Sequence, residues 1–238
     1  PPPAALLPLG LLPPSFPVGL ADNGGISGEN IMYVPPAFHE KDLSAVHRAM
    51  REARLVQLVT TGPDGLVATP MPMLLAAEEG EQGVLYGHMA RANPHWRMTV
   101  TGDALAIFMG PDAYVSPSWY PGKQRDGKVV PTWNYVAVHA YGPVEFFDDA
   151  ERLLRIVSGL TDLHESTREA PWSVSDAPPD YVASMLRGIV GIRLPIARID
   201  AKRKMSQNRN EDDRAGVKAG LQASDDPMDR AVAALIPK

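Results

Sequence analysis

Apolar and polar residues alternate along much of the chain between residues 55 and 147, a period of two that is typical of strands with one buried face. Turns rich in glycine and acidic residues separate these segments, for example "GPDG" at 62–65 and "EEGEQG" at 78–83. The pattern predicts six antiparallel strands, over residues 55–61, 66–75, 84–89, 104–110, 133–147 and 191–206.

Helical periodicity occurs in three other segments. Residues 42–54 have apolar side chains on one face, and Asp42 stands where an N-cap is expected. Residues 148–165 and 179–190 also have the period of a helix. Five strands, a helical insertion and a sixth strand predict a mainly β, α+β fold. Its antiparallel sheet closes into a small barrel, because closure removes exposed strand edges.

The first 31 residues differ from the rest of the chain. They are rich in proline and glycine, contain no lysine or arginine, and have apolar runs of only a few residues. This composition is not that of a signal peptide or a membrane span, and it predicts a disordered extension or an artefact at the gene start. We therefore predict a disordered extension over residues 1–31, a folded domain over 32–221 and a C-terminal helical tail over 222–238.

Composition excludes several kinds of site. The 238 residues contain no cysteine, which rules out disulfides and cysteine nucleophiles and predicts a reducing, cytoplasmic location. A net charge of −5 argues against a surface that attracts nucleic acid as a whole. The six histidines are scattered and none has a metal-ligand spacing, so no metal site is predicted.

The stretch "YGHMARANPHWR" at 86–97 follows a predicted strand and leads, through Asn93 and a proline, into the start of a short helix. Such a corner offers free backbone N–H groups and a positive helix end, and Arg91 and His88 add side-chain donors. The combination predicts a site for an anion, most simply a phosphate. The alternative is that the arginines are solvated surface charges and that His88 is a satisfied residue at the barrel rim.

A second stretch, residues 110–135, contains two tryptophans, three tyrosines and four prolines, together with polar residues such as Thr132 and Asn134. Large apolar faces with a few fixed donors are typical of a slot for a flat heterocycle. The alternative is that these aromatic residues belong to the hydrophobic core.

Six motifs occur in order between Met32 and Leu221: "MYVPPAFHE", "GHMARANPHWR", "GPDAYVSPSWYP", "KVVPTWNY", "VGIRLPI" and "KMSQNR". They resemble the PaiB family, described as FMN-binding negative transcriptional regulators. The resemblance implies the six-stranded split barrel of flavoproteins related to pyridoxamine-phosphate oxidase. It also implies a homodimer with one FMN in each of two clefts at the subunit interface.

The resemblance further implies which residues contact FMN. The corner would bind the phosphate through the side chains of His88, Arg91 and Asn93 and the backbone of Met89 and Ala90. The other implied contacts come from the strand beside the flavin ring, from its partner segment and from the end of the last strand: Thr69, Pro70, Met71, Trp133, Asn134, Lys204, Ser206, Gln207 and Asn208. A solvated connection of mixed charge is the alternative for the last four of these residues.

Three classes of function remain open at this point. The resemblance implies a negative transcriptional regulator with DNA as a partner, although no helix-turn-helix is evident and the basic cluster at 201–204 is soon followed by acidic residues. The second class is an FMN-dependent oxidoreductase acting on a small molecule. The third is a flavin-binding module without turnover. The sequence assigns no catalytic residue.

Overall fold

The computed structural model describes residues 32–123 and 127–237. The predicted N-terminal extension, residues 1–31, lies outside the described residues. In the described part of the chain nine strands form two antiparallel sheets. The strands are β1 (Val56–Gly62), β2 (Gly65–Met71), β3 (Met73–Ala76), β4 (Val84–Ala90), β5 (Ala104–Val115), β6 (Thr132–Gly142), β7 (Glu145–Phe147), β8 (Ile189–Pro195) and β9 (Arg198–Lys204).

The larger sheet has the strand order β2-β1-β5-β6-β9 and the smaller one has the order β3-β4-β8-β7. Three of the six predicted strands are divided, and at each division the chain passes from one sheet to the other. The divisions lie at Pro72, at Pro143 and just after Pro195, because proline has no N–H with which to continue a strand ladder. The mainly antiparallel α+β fold is therefore confirmed, with nine strands where the pattern indicated six.

The described α-helices are α1 (Leu43–Glu52), α2 (Ala150–Glu165), α3 (Pro179–Leu186), α4 (Glu211–Gln222) and α5 (Pro227–Leu235). The Asp42 side chain accepts a hydrogen bond of 3.0 Å from the backbone N–H of Ser44, which confirms the predicted cap of α1. The prediction of a helix over 179–190 is wrong in its last turn. Helix α3 ends at Leu186, because Ile189 and the residues after it pair with β4.

The main core lies between the two sheets and includes Leu58, Phe108 and Ile192, with apolar residues of α1 packed against it. The two sheets approach closely where β6 ends. A Cβ atom on Gly142 would overlap the carbonyl oxygen of Pro195, so glycine is what permits this approach.

A second, smaller core lies beyond a bulge in β5 between Met109 and Asp112. The end of β5, one residue of β6, helices α4 and α5, and single residues after β5, β9 and α5 contribute its buried side chains, which are Ala113, Val115, Tyr120, Val136, Met205, Val217, Leu221, Val232, Ala233 and Ile236. Both C-terminal helices therefore bury side chains against the sheet. The predicted boundary between residues 221 and 222 stays a prediction.

Candidate functional site

The predicted site residues fall into two groups that lie on different strands. The first group surrounds the end of β2 and the corner after β4. The second surrounds the start of β6 and the end of β9. In the larger sheet, β1, β5 and β6 separate β2 from β9, so the two groups lie toward opposite edges of that sheet.

In the first group, Thr69 and Asn93 lie around His95, which the sequence analysis did not select. His95 is completely buried, and its ring nitrogens lie 2.7 Å from the hydroxyl groups of Thr60 and Thr69. The Asn93 side chain accepts a hydrogen bond from the His95 backbone N–H and caps the short 3-10 turn, as predicted. Three polar side chains from two strands and a turn are thus joined inside the barrel.

The strand β2 sends its predicted residues to two faces. Thr69 and Met71 point inward and are buried, and Met71 belongs to the main core. Pro70 points outward and is exposed. Of the three, only Pro70 presents its side chain on the outer face of the sheet.

Arg91 is bound within the chain. Its Nε donates to the carbonyl oxygen of Arg187 at 2.8 Å, and one Nη donates to that of Ile189 at 3.1 Å. The other Nη lies 3.6 Å from the exposed Asp148 carboxylate. The guanidinium therefore ties the corner to the start of β8. Its contact with a phosphate stays a prediction, for which the Nη beside Asp148 is the available donor.

The prediction that this corner offers free backbone donors is wrong at three positions. The N–H groups of Arg91 and Asn93 donate to the carbonyl oxygens of Gly188 and Ala90, and the His95 N–H is bonded to the Asn93 side chain. The last two bonds lie within the tight turn of the corner, and the first joins the corner to the segment before β8.

His88, Met89 and Ala90 lie on β4, where the alternation of the strand separates their side chains. Met89 is part of the main core, and Ala90 is exposed. His88 lies on the opposite face from Met89. Its Nδ1 is buried and has no hydrogen-bond partner among the described residues. Burial lowers the pKa of His88. A buried nitrogen without a partner is a group that a ligand or water can satisfy.

In the second group, Lys204 lies beside Trp133. The Lys204 ammonium donates to the hydroxyl of Thr132 and to the carbonyl oxygen of Trp133. Burial, and then the nearby charges of Lys202 and Arg209, lower the pKa of Lys204. The Trp133 indole is 52% exposed and meets the Tyr114 ring edge to face at 5.9 Å. An exposed flat ring and a fixed cation are therefore adjacent.

The turn after β9 holds the remaining residues of this group. Buried Asn134 and Ser206 exchange hydrogen bonds of 3.0 and 3.2 Å. Ser206 has a φ of 60°, the left-handed region, and among the described residues no other non-glycine residue has a positive φ. Gln207 accepts from the Met205 N–H and donates to the Arg203 carbonyl oxygen. Asn208 is exposed. This turn is held rigidly beside Lys204.

The aromatic residues of 110–135 divide between the two interpretations. Tyr120 is buried in the second core, and Trp119 lies across Gly216 and Gly220 of α4, so these two are structural. Trp133 and Tyr114 are about half exposed and remain candidates for ligand contact. Their positions in the sequence alone did not distinguish the two structural residues from the two candidates for ligand contact.

As the pH is lowered, the protein is expected to lose stability already at pH values above those at which its carboxylates titrate. Burial lowers the pKa values of His88, His95 and His139 below the usual 6.5. The unfolded chain therefore binds more protons as the pH falls through 6.5, and the free energy of unfolding decreases. The hydrogen bond from Arg152 lowers the pKa of Glu145. This interaction is therefore lost only at pH values below 4.5, the usual pKa of a glutamate.

Urea unfolding of the protein without added cofactor, measured between about pH 7.5 and 5, checks this expectation. Constant stability over that range would show that the three histidines are hydrated in the folded state.

A family model described as "Putative FMN-binding domain" matches residues 32–198. The chain is 33% identical over 206 residues to "Protease synthase and sporulation protein PAI 2" of Bacillus subtilis (strain 168), covering 86% of this chain and 96% of that protein. It is also 33% identical over 225 residues to "Uncharacterized protein AN0679" of Emericella nidulans, covering 76% of this chain and 90% of that protein.

Solved structures show the same architecture. The FAD and heme binding protein from Mycobacterium smegmatis superposes with a TM-score of 0.51 at 16% identity, over 74% of this chain and 78% of that one. The flavocytochrome Anf3 from Azotobacter vinelandii superposes with a TM-score of 0.50 at 16% identity, over 75% of each chain. At this level of identity the likeness concerns the fold alone.

Fold and comparisons together define a split-barrel flavin-binding protein. More particularly, the chain belongs to the FMN-binding family whose model it matches, as its resemblance to the PaiB proteins implied, and FMN is its cofactor. None of the described helices is both long and apolar enough to span a bilayer. Within residues 32–123 and 127–237, no three metal-ligating side chains group closely enough to hold a metal ion.

The residues in place fit this cofactor. The exposed indole of Trp133 offers a flat apolar face, and the Lys204 ammonium, bonded to the backbone carbonyl of the same residue, offers a positive charge. In the other group, the buried Nδ1 of His88 lacks a partner. Both groups therefore contain atoms that the chain itself leaves available.

Proposed function

We propose that the protein is a homodimer that binds FMN in two clefts shared between the copies. The observation that carries this proposal is the separation of the two groups of site residues. With neighbouring strands about 4.8 Å apart, β2 and β9 lie on the order of 19 Å from each other across the larger sheet. If a second copy packed on that sheet, its first group of site residues would lie close to the second group of the other copy, and its second group close to the other copy's first group.

The surface available for this packing is the outward side of the larger sheet, which we call the open face. Strand registers place its residues in rows across the sheet, and the exposed or partly exposed ones include Pro70, Gln57, Ile107, His139, Met109, Tyr114 and Trp133. Met109, in the middle of the open face, is 51% exposed, and Trp133, at one end of that face, is 52% exposed. An apolar surface of this kind fits a second copy of the same chain.

Within each cleft the chain's own residues bind and orient the cofactor. Trp133 would lie against the flat ring, and Lys204 would place a positive charge beside an electron-rich edge of it or the phosphate. Asn134 and Ser206 would hold this segment in position through their mutual hydrogen bonds. FMN, when bound, supplies the redox chemistry.

For the biological role, we propose a flavin-dependent negative regulator of transcription, as the resemblance implies. The Bacillus subtilis relative carries sporulation in its name, which is compatible with a regulatory role. An FMN-dependent oxidoreductase is the second candidate. It is favoured by Lys204, whose pKa is lowered by burial and whose ammonium is a proton donor beside the proposed ring site.

Two measurements on the purified, flavin-loaded protein separate these roles. A regulator is expected to select particular sequences from a DNA library and to bind them about 10³-fold more tightly than random DNA at physiological salt. An oxidoreductase is expected to lose its flavin absorbance when NADH or NADPH is added without oxygen. Bleaching without selective DNA binding would replace the regulator proposal with the enzyme proposal.

A further inference from the structure

His95 links two neighbouring strands from inside the barrel. Thr60 lies on β1 and Thr69 on β2, and both hydroxyl groups face the same completely buried imidazole. Burial lowers the pKa of His95, so the ring is neutral, with one nitrogen donating a hydrogen bond and the other accepting one. An apolar residue in this place would remove the imidazole partner of both buried hydroxyl groups.

The same residue is joined to the corner after β4. The His95 N–H donates to Oδ1 of Asn93 at 3.0 Å, and Nδ2 of Asn93 donates to the Thr69 hydroxyl at 3.3 Å. Thr69, Asn93 and His95 therefore form a closed ring of hydrogen bonds. One side of this ring is the β2 segment predicted to lie beside the flavin ring, and the other side is the corner predicted to bind the phosphate.

We propose that His95 is a positioning residue of the flavin site, which fixes the distance between the β2 segment and the corner. It cannot touch the cofactor, because no part of its side chain is exposed. It acts through Thr69, whose hydroxyl it holds at 2.7 Å, and through the 3-10 turn of which it is the second residue. The proposal rests on the proposed function, since it requires both segments to line one cleft.

Two substitutions separate the two hydrogen bonds that the imidazole of His95 makes with Thr60 and Thr69. In His95→Asn the amide stands near the place of Nδ1 and retains the bond to Thr69. In His95→Gln the amide stands near the place of Nε2 and retains the bond to Thr60 instead. Each variant loses one hydrogen bond, so we expect similar decreases in melting temperature for the two proteins.

Flavin binding is expected to differ between them. The Kd for FMN should rise about tenfold or more in His95→Gln and remain near the native value in His95→Asn, because only the former releases Thr69. The visible circular dichroism of bound FMN, which reports the environment of the flavin ring, should also change in His95→Gln. Val232→Ala, a buried change in the second core, should lower the melting temperature without changing either flavin signal.

Equal FMN affinities and unchanged dichroism in both His95 variants would overturn the positioning role and leave His95 as a structural residue. A separate variant, Ala90→Trp, places a large side chain on the exposed corner. It should abolish FMN binding if the corner lines the cleft. Unimpaired FMN binding by Ala90→Trp would overturn the placement of the site and the His95 proposal together.

Discussion

A single glutamate in place of Met109 is expected to convert the proposed dimer into a monomer and to remove its FMN. Met109 is 51% exposed in the middle of the open face, so the substitution leaves the isolated fold intact. In a dimer packed through that face, a carboxylate on each copy would be buried without a partner, which typically costs about 3–5 kcal/mol per site. The shared clefts would then lose one of their two sides.

Light scattering after gel filtration measures the first effect, as a fall in mass from about twice the 25.8 kDa of the chain to that of one chain. Flavin absorbance of the same peak measures the second. Met228→Glu is a matched control, because Met228 is 47% exposed on α5, outside the larger sheet. A Met109→Glu protein that remains a yellow dimer would show that the copies do not pair through the open face.

The local features of the fold could be predicted from the sequence because each depends on neighbouring residues. Alternation gave the positions of the strands, and Asp42 and Asn93 cap the turns of helix that follow them. The division of three strands was missed although each lies at a proline, because apolar side chains face the same core on both sides of each division. Only the pairing of the two halves with different neighbouring strands shows where each strand bends.

The candidate site was predictable in its segments and not in its contacts. His95 meets threonines that are 35 and 26 residues away, and no spacing rule connects them. A histidine that immediately follows an Asn-Pro cap was the available signal. Arg91 was expected to donate to an anion, whereas it donates to carbonyl oxygens at 187, after the end of α3, and at 189, the start of β8, which only the fold places beside it.

Arg91 therefore has two possible effects on flavin binding, and its replacement separates them. Arg91→Ala is expected to weaken FMN about ten- to a hundredfold, since one charge-assisted contact with a phosphate contributes roughly 1.5–3 kcal/mol. Riboflavin lacks the phosphate and should bind almost equally to the native and variant proteins. If Arg91 acts only by tying the corner to β8, both ligands should weaken by the same factor.

The geometry also predicts the result of conservative changes. Two of the Arg91 donors hold carbonyl oxygens while an Nη faces Asp148 at 3.6 Å, so the planar group can bridge the chain and a phosphate at once. A lysine ammonium cannot fill both roles, and Arg91→Lys should recover only part of the FMN affinity. Asp148→Asn removes the competing carboxylate and should leave FMN affinity equal or higher. Unchanged FMN affinity in a folded Arg91→Ala protein would mean that this corner does not bind the phosphate, and that Arg91 serves only to join β4 to β8.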